Sequence, residues 1–151
     1  MLRFKMTRIN IEQFAMLGDD PKQIKEFSIE VGFKYAVESR HLAVVFGFSF
    51  DTESEKAVVL KVCCEFLINK DDWDAALSDG KYTIPATTLQ YLASQTVGAS
   101  RGILHCKTEG SPFSSMIIPP INLTELVSED LTFSCGESED GKVIEKAGRD
   151  S

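Results

Sequence analysis

Three long runs of alternating residues follow one another with almost no chain between them, and they restrict the fold more than any other feature of the sequence. Phe27, Ile29, Val31, Phe33, Tyr35 and Val37 alternate with Ser28, Glu30, Gly32, Lys34 and other small or polar residues. Leu42, Val44, Phe46, Phe48 and Phe50 repeat the pattern, as do Val58, Leu60, Val62, Cys64, Phe66 and Ile68. A period of two places one set of side chains on one face of a strand. The linkers, Glu38-Ser-Arg-His41 and Asp51-Thr-Glu-Ser-Glu55, are short enough for hairpins, so the three strands form an antiparallel meander. The intervening positions Val45, Val59, Cys63 and Leu67 make the second face too apolar to be left wholly bare.

Upstream, Phe4 and Met6, then Ile9 and Ile11, read as a fourth strand whose alternation slips by one residue, as a bulge allows. Asn69 to Gly80 reads as an acidic, irregular linker. From Thr83 the period becomes helical. Thr83 is the expected cap and Pro85 suits the first turn, while Leu89, Leu92, Thr96, Ser100 and Ile103 line one face to about Cys106. Beside that face Ser94, Gly98 and Gly102 form a stripe of small residues. Glycine within a helix costs about 1 kcal/mol relative to alanine, so the stripe is expected to allow close packing against a sheet or a second copy of the helix. Lys107 to Ser115 reads as a loop, Pro119-Pro120 halts regular structure, and Asn122-Leu-Thr-Glu125 has the spacing of a capping box opening a short last helix. The expected fold is α+β: a four-stranded antiparallel sheet, one long helix and one short helix.

The length of 151 residues suits one domain, placed at 1–127, with 128–151 as an acidic, mobile tail that offers only Leu131, Phe133 and Val143-Ile144 for burial. Sixteen Lys and Arg stand against 23 Asp and Glu, a net charge of -7, and after Val127 seven acidic residues face three basic ones. Neither part is basic, so nucleic acid and anionic membrane are not expected partners. The opening residues lack an apolar signal-peptide core and no run of eighteen apolar residues exists, so membrane insertion is not expected and the cytoplasm is the expected location.

Little in the sequence resembles catalytic machinery. Cys63, Cys64, Cys106 and Cys135 have neither zinc-site nor disulfide-framework spacing and read as reduced thiols. The two histidines, His41 and His105, belong to no metal or nucleophile motif, and His105 and Cys106 point about 100° apart on a helix. No phosphate-binding glycine loop or nucleophile elbow is present. The expectation is a non-enzyme without cofactor or metal. A small-ligand protein or enzyme using His105 or Cys106 is the weaker alternative. Bulky apolar residues outside the periodic elements point instead to a groove for apolar polypeptide: Phe14, Met16, Trp73, Leu77, Tyr82, Phe113 and Met116.

Three local motifs, in this order, resemble the SecB family of protein-export chaperones. Phe4-Lys-Met-Thr-Arg8-Ile9 resembles the family's first strand, Ser100-Arg101-Gly102 its Ser-Arg-Gly near the end of the long helix, and Pro120-Ile-Asn-Leu123 with Leu126 the lead-in to its last helix. The resemblance runs from about Leu2 to Val127. It implies ATP-independent holding of unfolded polypeptides or preproteins in apolar grooves, and a homo-oligomer, a dimer of dimers, with long helices between two sheets. Ser94, Gly98 and Gly102 would then lie at the subunit interface. Acidic positions with which the family docks the SecA ATPase correspond to Gln13, Leu17 and Lys61, and the loop Lys107 to Met116 is longer than the family's. Those departures leave SecA delivery open. They also suit the alternative of a dedicated SecB-like chaperone protecting the antitoxin of a toxin-antitoxin pair.

Overall fold

The alternating runs become strands because each can bury one row of side chains against a single helix. A computed structural model describes residues 1–135 and the backbone of residues 140–149. Strands β1 (Phe4–Met16), β2 (Glu26–Ala36), β3 (His41–Asp51) and β4 (Lys56–Ile68) form the antiparallel sheet, in the spatial order β1-β4-β3-β2. Register follows the hydrophobic pattern: Phe33 lies opposite Val44, Val44 opposite Cys64, and Phe46 opposite Val62. A one-residue slip would turn the whole row to the other face. The long helix α2 (Ala86–Thr108) packs across β3 and β4. We call the side of the sheet beneath it the helix side, and the opposite side the outer side.

Helix α2 presents Leu89, Leu92, Thr96 and Ser100 to the sheet, all buried, together with Val97 and Leu104. The three buried hydroxyls of Thr96, Ser100 and Thr108 donate back to the carbonyls of Leu92, Thr96 and Leu104, which lets polar residues lie in an apolar interface. The helix does not start as the sequence implies. Thr83 lies in strand β6 (Lys81–Ile84), Pro85 is the N-cap, and the Asp130 carboxylate accepts from the Ala86 N–H at 2.8 Å. A cap supplied 44 residues downstream has no local sequence signature.

The linker 69–80 is ordered rather than irregular. Asn69 accepts from the Asp72 N–H and opens helix α1 (Lys70–Ala75), and Leu77–Ser78 is strand β5. Arg3 donates to both Asp72 oxygens, which ties the start of β1 to α1 and holds the Asp72 carboxyl down at about 2. Strand β6 pairs with β5 on one side and with β7 (Leu131–Ser134) on the other, forming a second, three-stranded sheet.

The segment read as a mobile tail with room for one short docked piece contributes β7 to this small sheet. Leu131 and Phe133 are buried in the core, and the Phe133 ring stacks on Tyr35 of β2 at 4.0 Å between centroids. Strand β8 (Asp140–Arg149) then pairs with β2 and extends the large sheet to five strands. Residues 136–139 and 150–151 of the expected tail lie outside the described residues. The capping box is present: Asn122 Oδ1 accepts from the Glu125 N–H at 3.3 Å, opening α3 (Leu123–Leu126). No helix among the described residues is long and apolar enough to cross a membrane.

Candidate functional site

Strand β1 is the edge of the large sheet opposite β8, and it carries apolar residues at 4, 6, 9, 11, 14 and 16. Plain alternation would send Ile9 and Ile11 to the face opposite the other four. Two register shifts, between Met6 and Arg8 and between Ile11 and Gln13, keep them in phase. Each bulge inserts one residue and restores the facing that a spacing of three would otherwise reverse. Phe4, Met6, Ile9, Ile11, Phe14 and Met16 therefore oppose Ile68, Phe66, Cys64, Val62, Leu60 and Val58, all on the helix side.

Helix α2 covers that row only at its ends. The Phe4 ring meets Phe66 edge-on at 5.5 Å and lies 6.2 Å from Tyr91, and Lys107 Nζ stands 6.0 Å above the Phe14 ring. Between them Ile9 is 52% exposed and Ile11 41%. Met16 is 41% exposed and Leu17, the next residue, 67%. Leu17 is held there because its N–H and that of Gly18 both donate to the Ala57 carbonyl. A Cβ on Gly18 would lie 3.0 Å from the Ala57 Cβ, so any larger residue would push this close crossing apart by a few tenths of an ångström. The result is an apolar stripe from Ile9 to Met16 along an open strand, with the exposed Leu17 just past its end.

Of the groove residues expected from sequence, Phe14 and Met16 belong to this stripe, and both lie within β1 rather than in a loop. Trp73, Tyr82 and Phe113 do not line a groove in this protomer; they are buried at 2%, 7% and 1% exposure. Trp73 and Tyr82 form an aromatic cluster with Phe133, with centroids 4.7 to 5.9 Å apart. Burying such rings gains more than any local propensity for a loop. Met116 is half-buried against the core, and Leu77, 39% exposed, belongs to the small sheet. Ile9 and Ile11 were not among the expected groove residues. Their signal was the spacing pattern 4-6-9-11-14-16, which requires two bulges rather than one.

The small-residue stripe of α2 faces away from the sheet. Ser94, Gly98 and Gly102 are exposed, and a Cβ built on either glycine meets nothing within 4 Å. Contact with the sheet therefore does not account for them. In the isolated protomer Gly98→Ala and Gly102→Ala are expected to raise stability by about 1 kcal/mol each, because alanine loses less backbone entropy. Urea unfolding checks this; destabilisation by either change at a concentration where the chain is monomeric would contradict it.

On the outer side the Asp51 carboxylate is nearly buried and accepts from the hydroxyls of Ser28 and Ser49, while Lys56 Nζ donates to Ser49 Oγ at 2.9 Å. The Ser49 proton is thus committed to a carboxylate. A shallow depression of about 440 Å³ lies beside this group, reaching Gln13, Glu30 and Lys61. The Cys63 thiol, on the same side, is pushed up to about 11 by burial, with the Glu12 charge adding to the effect, so it stays protonated near neutrality. Cys106 and Cys135 are exposed. Among the described residues no group of three or more His, Cys, Asp or Glu side chains is placed to hold a metal ion.

Comparison with protein-family models, with curated proteins and with solved structures finds no match to this chain.

Proposed function

We propose that this protein is a non-enzymatic, ATP-independent chaperone of the SecB type, which holds unfolded polypeptide segments in the cytoplasm. The observation that carries this reading is the half-open apolar stripe Ile9, Ile11, Phe14 and Met16 on the edge of the sheet, with the exposed Leu17 just past its end. An extended client laid along it removes apolar surface from water, at about 25 cal/mol for each Å² covered, with no demand on client sequence. The stripe replaces the groove of Trp73, Tyr82 and Phe113 that the sequence favours. The three SecB-like motifs and the order of elements support the same reading. A homo-oligomer belongs to it, with Ser94, Gly98 and Gly102 offering a smooth outward helix face. SecA delivery does not: Gln13 and Lys61 are direct cross-strand neighbours, so two of the positions that correspond to SecA-docking acids are neutral and basic side by side.

The double variant Met16→Ser, Leu17→Ser tests the reading. Both side chains are exposed, so stability should change by no more than about 0.5 kcal/mol. Suppression of aggregation of several unrelated unfolded proteins should weaken by at least about fivefold, in proportion to the apolar area lost. A double variant that protects all clients as well as the wild type removes the stripe from the mechanism. Protection of one client alone would narrow the proposal to a dedicated chaperone.

A further inference from the structure

Strand β8 occupies the β2 edge of the large sheet, and its register is a poor match to what that edge offers. On the helix side of β2 lie Phe27, Ile29, Val31 and Phe33; the last three are buried, and the Phe27 ring stacks on Phe48 of β3. Directly opposed residues of an antiparallel pair share a face, so a matched neighbour places apolar residues opposite all four. Strand β8 supplies one. Ile144 stands opposite Val31, but Lys146 stands opposite Ile29 and Gly148 opposite Phe27. Opposite Phe33 the register shifts, and the chain there is Gly141-Lys142. On the outer side Glu145 stands opposite Glu30, two like charges in direct opposition. Opposite charges face each other only toward the ends, Glu26 with Arg149 and Lys34 with Asp140. Like charges and missing apolar partners both weaken a strand pair, and glycine within a strand weakens it further.

We propose that β8 is a displaceable occupant of the β2 edge, and that the edge accepts in its place an extended polypeptide segment that alternates apolar with polar residues and carries a basic residue opposite Glu30. Such a segment joins the sheet as a strand: backbone hydrogen bonds hold it, and its alternate side chains select it. Over β8 it gains apolar partners for Phe27, Ile29 and Phe33 and exchanges a like-charge opposition at Glu30 for an attraction. Strand β8 is the resident because its covalent link gives it a high effective concentration, and a free segment displaces it through better pairing. The β2 edge lies at the far side of β3 and β4 from the stripe on β1, so the two are separate surfaces. The exchange rests on register alone; its use in holding clients rests on the chaperone reading above.

The peptide Asp-Val-Thr-Ile-Lys-Val-Thr-Val-Arg, laid antiparallel on β2, sets its lysine opposite Glu30 and apolar residues opposite Phe33, Val31, Ile29 and Phe27. Added to the full chain, it should bind and speed amide exchange across residues 140–149 by at least about tenfold, with β3 and β4 unchanged. Replacing its lysine by glutamate should weaken binding by at least about threefold. A shuffled peptide without the alternation should leave exchange at 140–149 as it was. In the protein, Glu145→Lys with Lys146→Val improves the match of β8, and should slow exchange across 140–149 and weaken the peptide by at least about tenfold. The peptide variants leave the protein untouched and carry the test if that double variant fails to fold. No binding at about 100 μM peptide, binding that leaves exchange at 140–149 unchanged, equal displacement by the shuffled peptide, or an improved β8 that competes no better than the wild type overturns the proposal. Protection of unfolded proteins is measured separately. Strand exchange without protection upholds the β2 site and removes the chaperone reading, and protection without exchange does the reverse.

Discussion

Replacing Trp73 by alanine is expected to lower the free energy of unfolding by about 3–5 kcal/mol, the range for removing a large aromatic side chain from a packed core. Trp73 is 2% exposed and lies among Tyr82, Phe133 and the rest of the core cluster. It does more than fill space. From α1 it touches β6 and β7, and Phe133 in turn stacks on Tyr35 of β2, so one aromatic chain joins the small sheet to the large one. Loss of the indole leaves a cavity that four elements would have to close together. Urea unfolding followed by circular dichroism measures the change, and Tyr82→Ser should act in the same direction. If Trp73→Ala instead left the midpoint unchanged and lost only client holding, the burial described above would be wrong and the groove of the sequence reading would return.

The second large effect is expected at Arg101. Its guanidinium donates from Nε to the Ile118 carbonyl at 2.9 Å and from a terminal nitrogen to the Pro119 carbonyl at 2.8 Å. The segment around Pro119 and Pro120 has no ladder or helix to satisfy its carbonyls, and proline contributes no N–H. One planar fork satisfies two of them and fastens the late loop to α2. Arg101→Ala should cost about 1.5–3 kcal/mol, the range for a hydrogen bond to a charged group, and should speed amide exchange through residues 113–121. Lysine should recover only part of this, because a point charge cannot reproduce the fork. Full recovery by lysine would show that charge alone matters. The Ser-Arg-Gly motif therefore has a structural task in this chain, whatever its value as a family marker.

Local pattern alone determined much of the fold. The meander β2-β3-β4 was legible because its hairpin loops are short and its alternation unbroken, so pairing and facing follow from chain geometry. The apolar face of α2 and the Asn122 cap were legible for the same reason: each depends on residues within a few positions of one another. The first bulge of β1 shows as a slip in period, whereas the second lies beyond Ile11, where local alternation gives out, so Phe14 and Met16 fall outside the periodic elements legible in the sequence.

Only the tertiary structure decided which bulky residues are buried. Trp73, Tyr82, Phe113, Phe133, Ile9, Ile11 and Leu17 are all apolar, and composition cannot rank them. Three-dimensional position does, because α2 crosses β3 and β4 and leaves the middle of β1 uncovered, while the chain returns through β7 to cover Trp73 and Tyr82. The Asp130 cap on α2 and the fork from Arg101 to Pro119 were likewise invisible beforehand. Burial and capping at long range are properties of where distant segments meet, and that meeting is fixed by the whole core rather than by any window of the sequence.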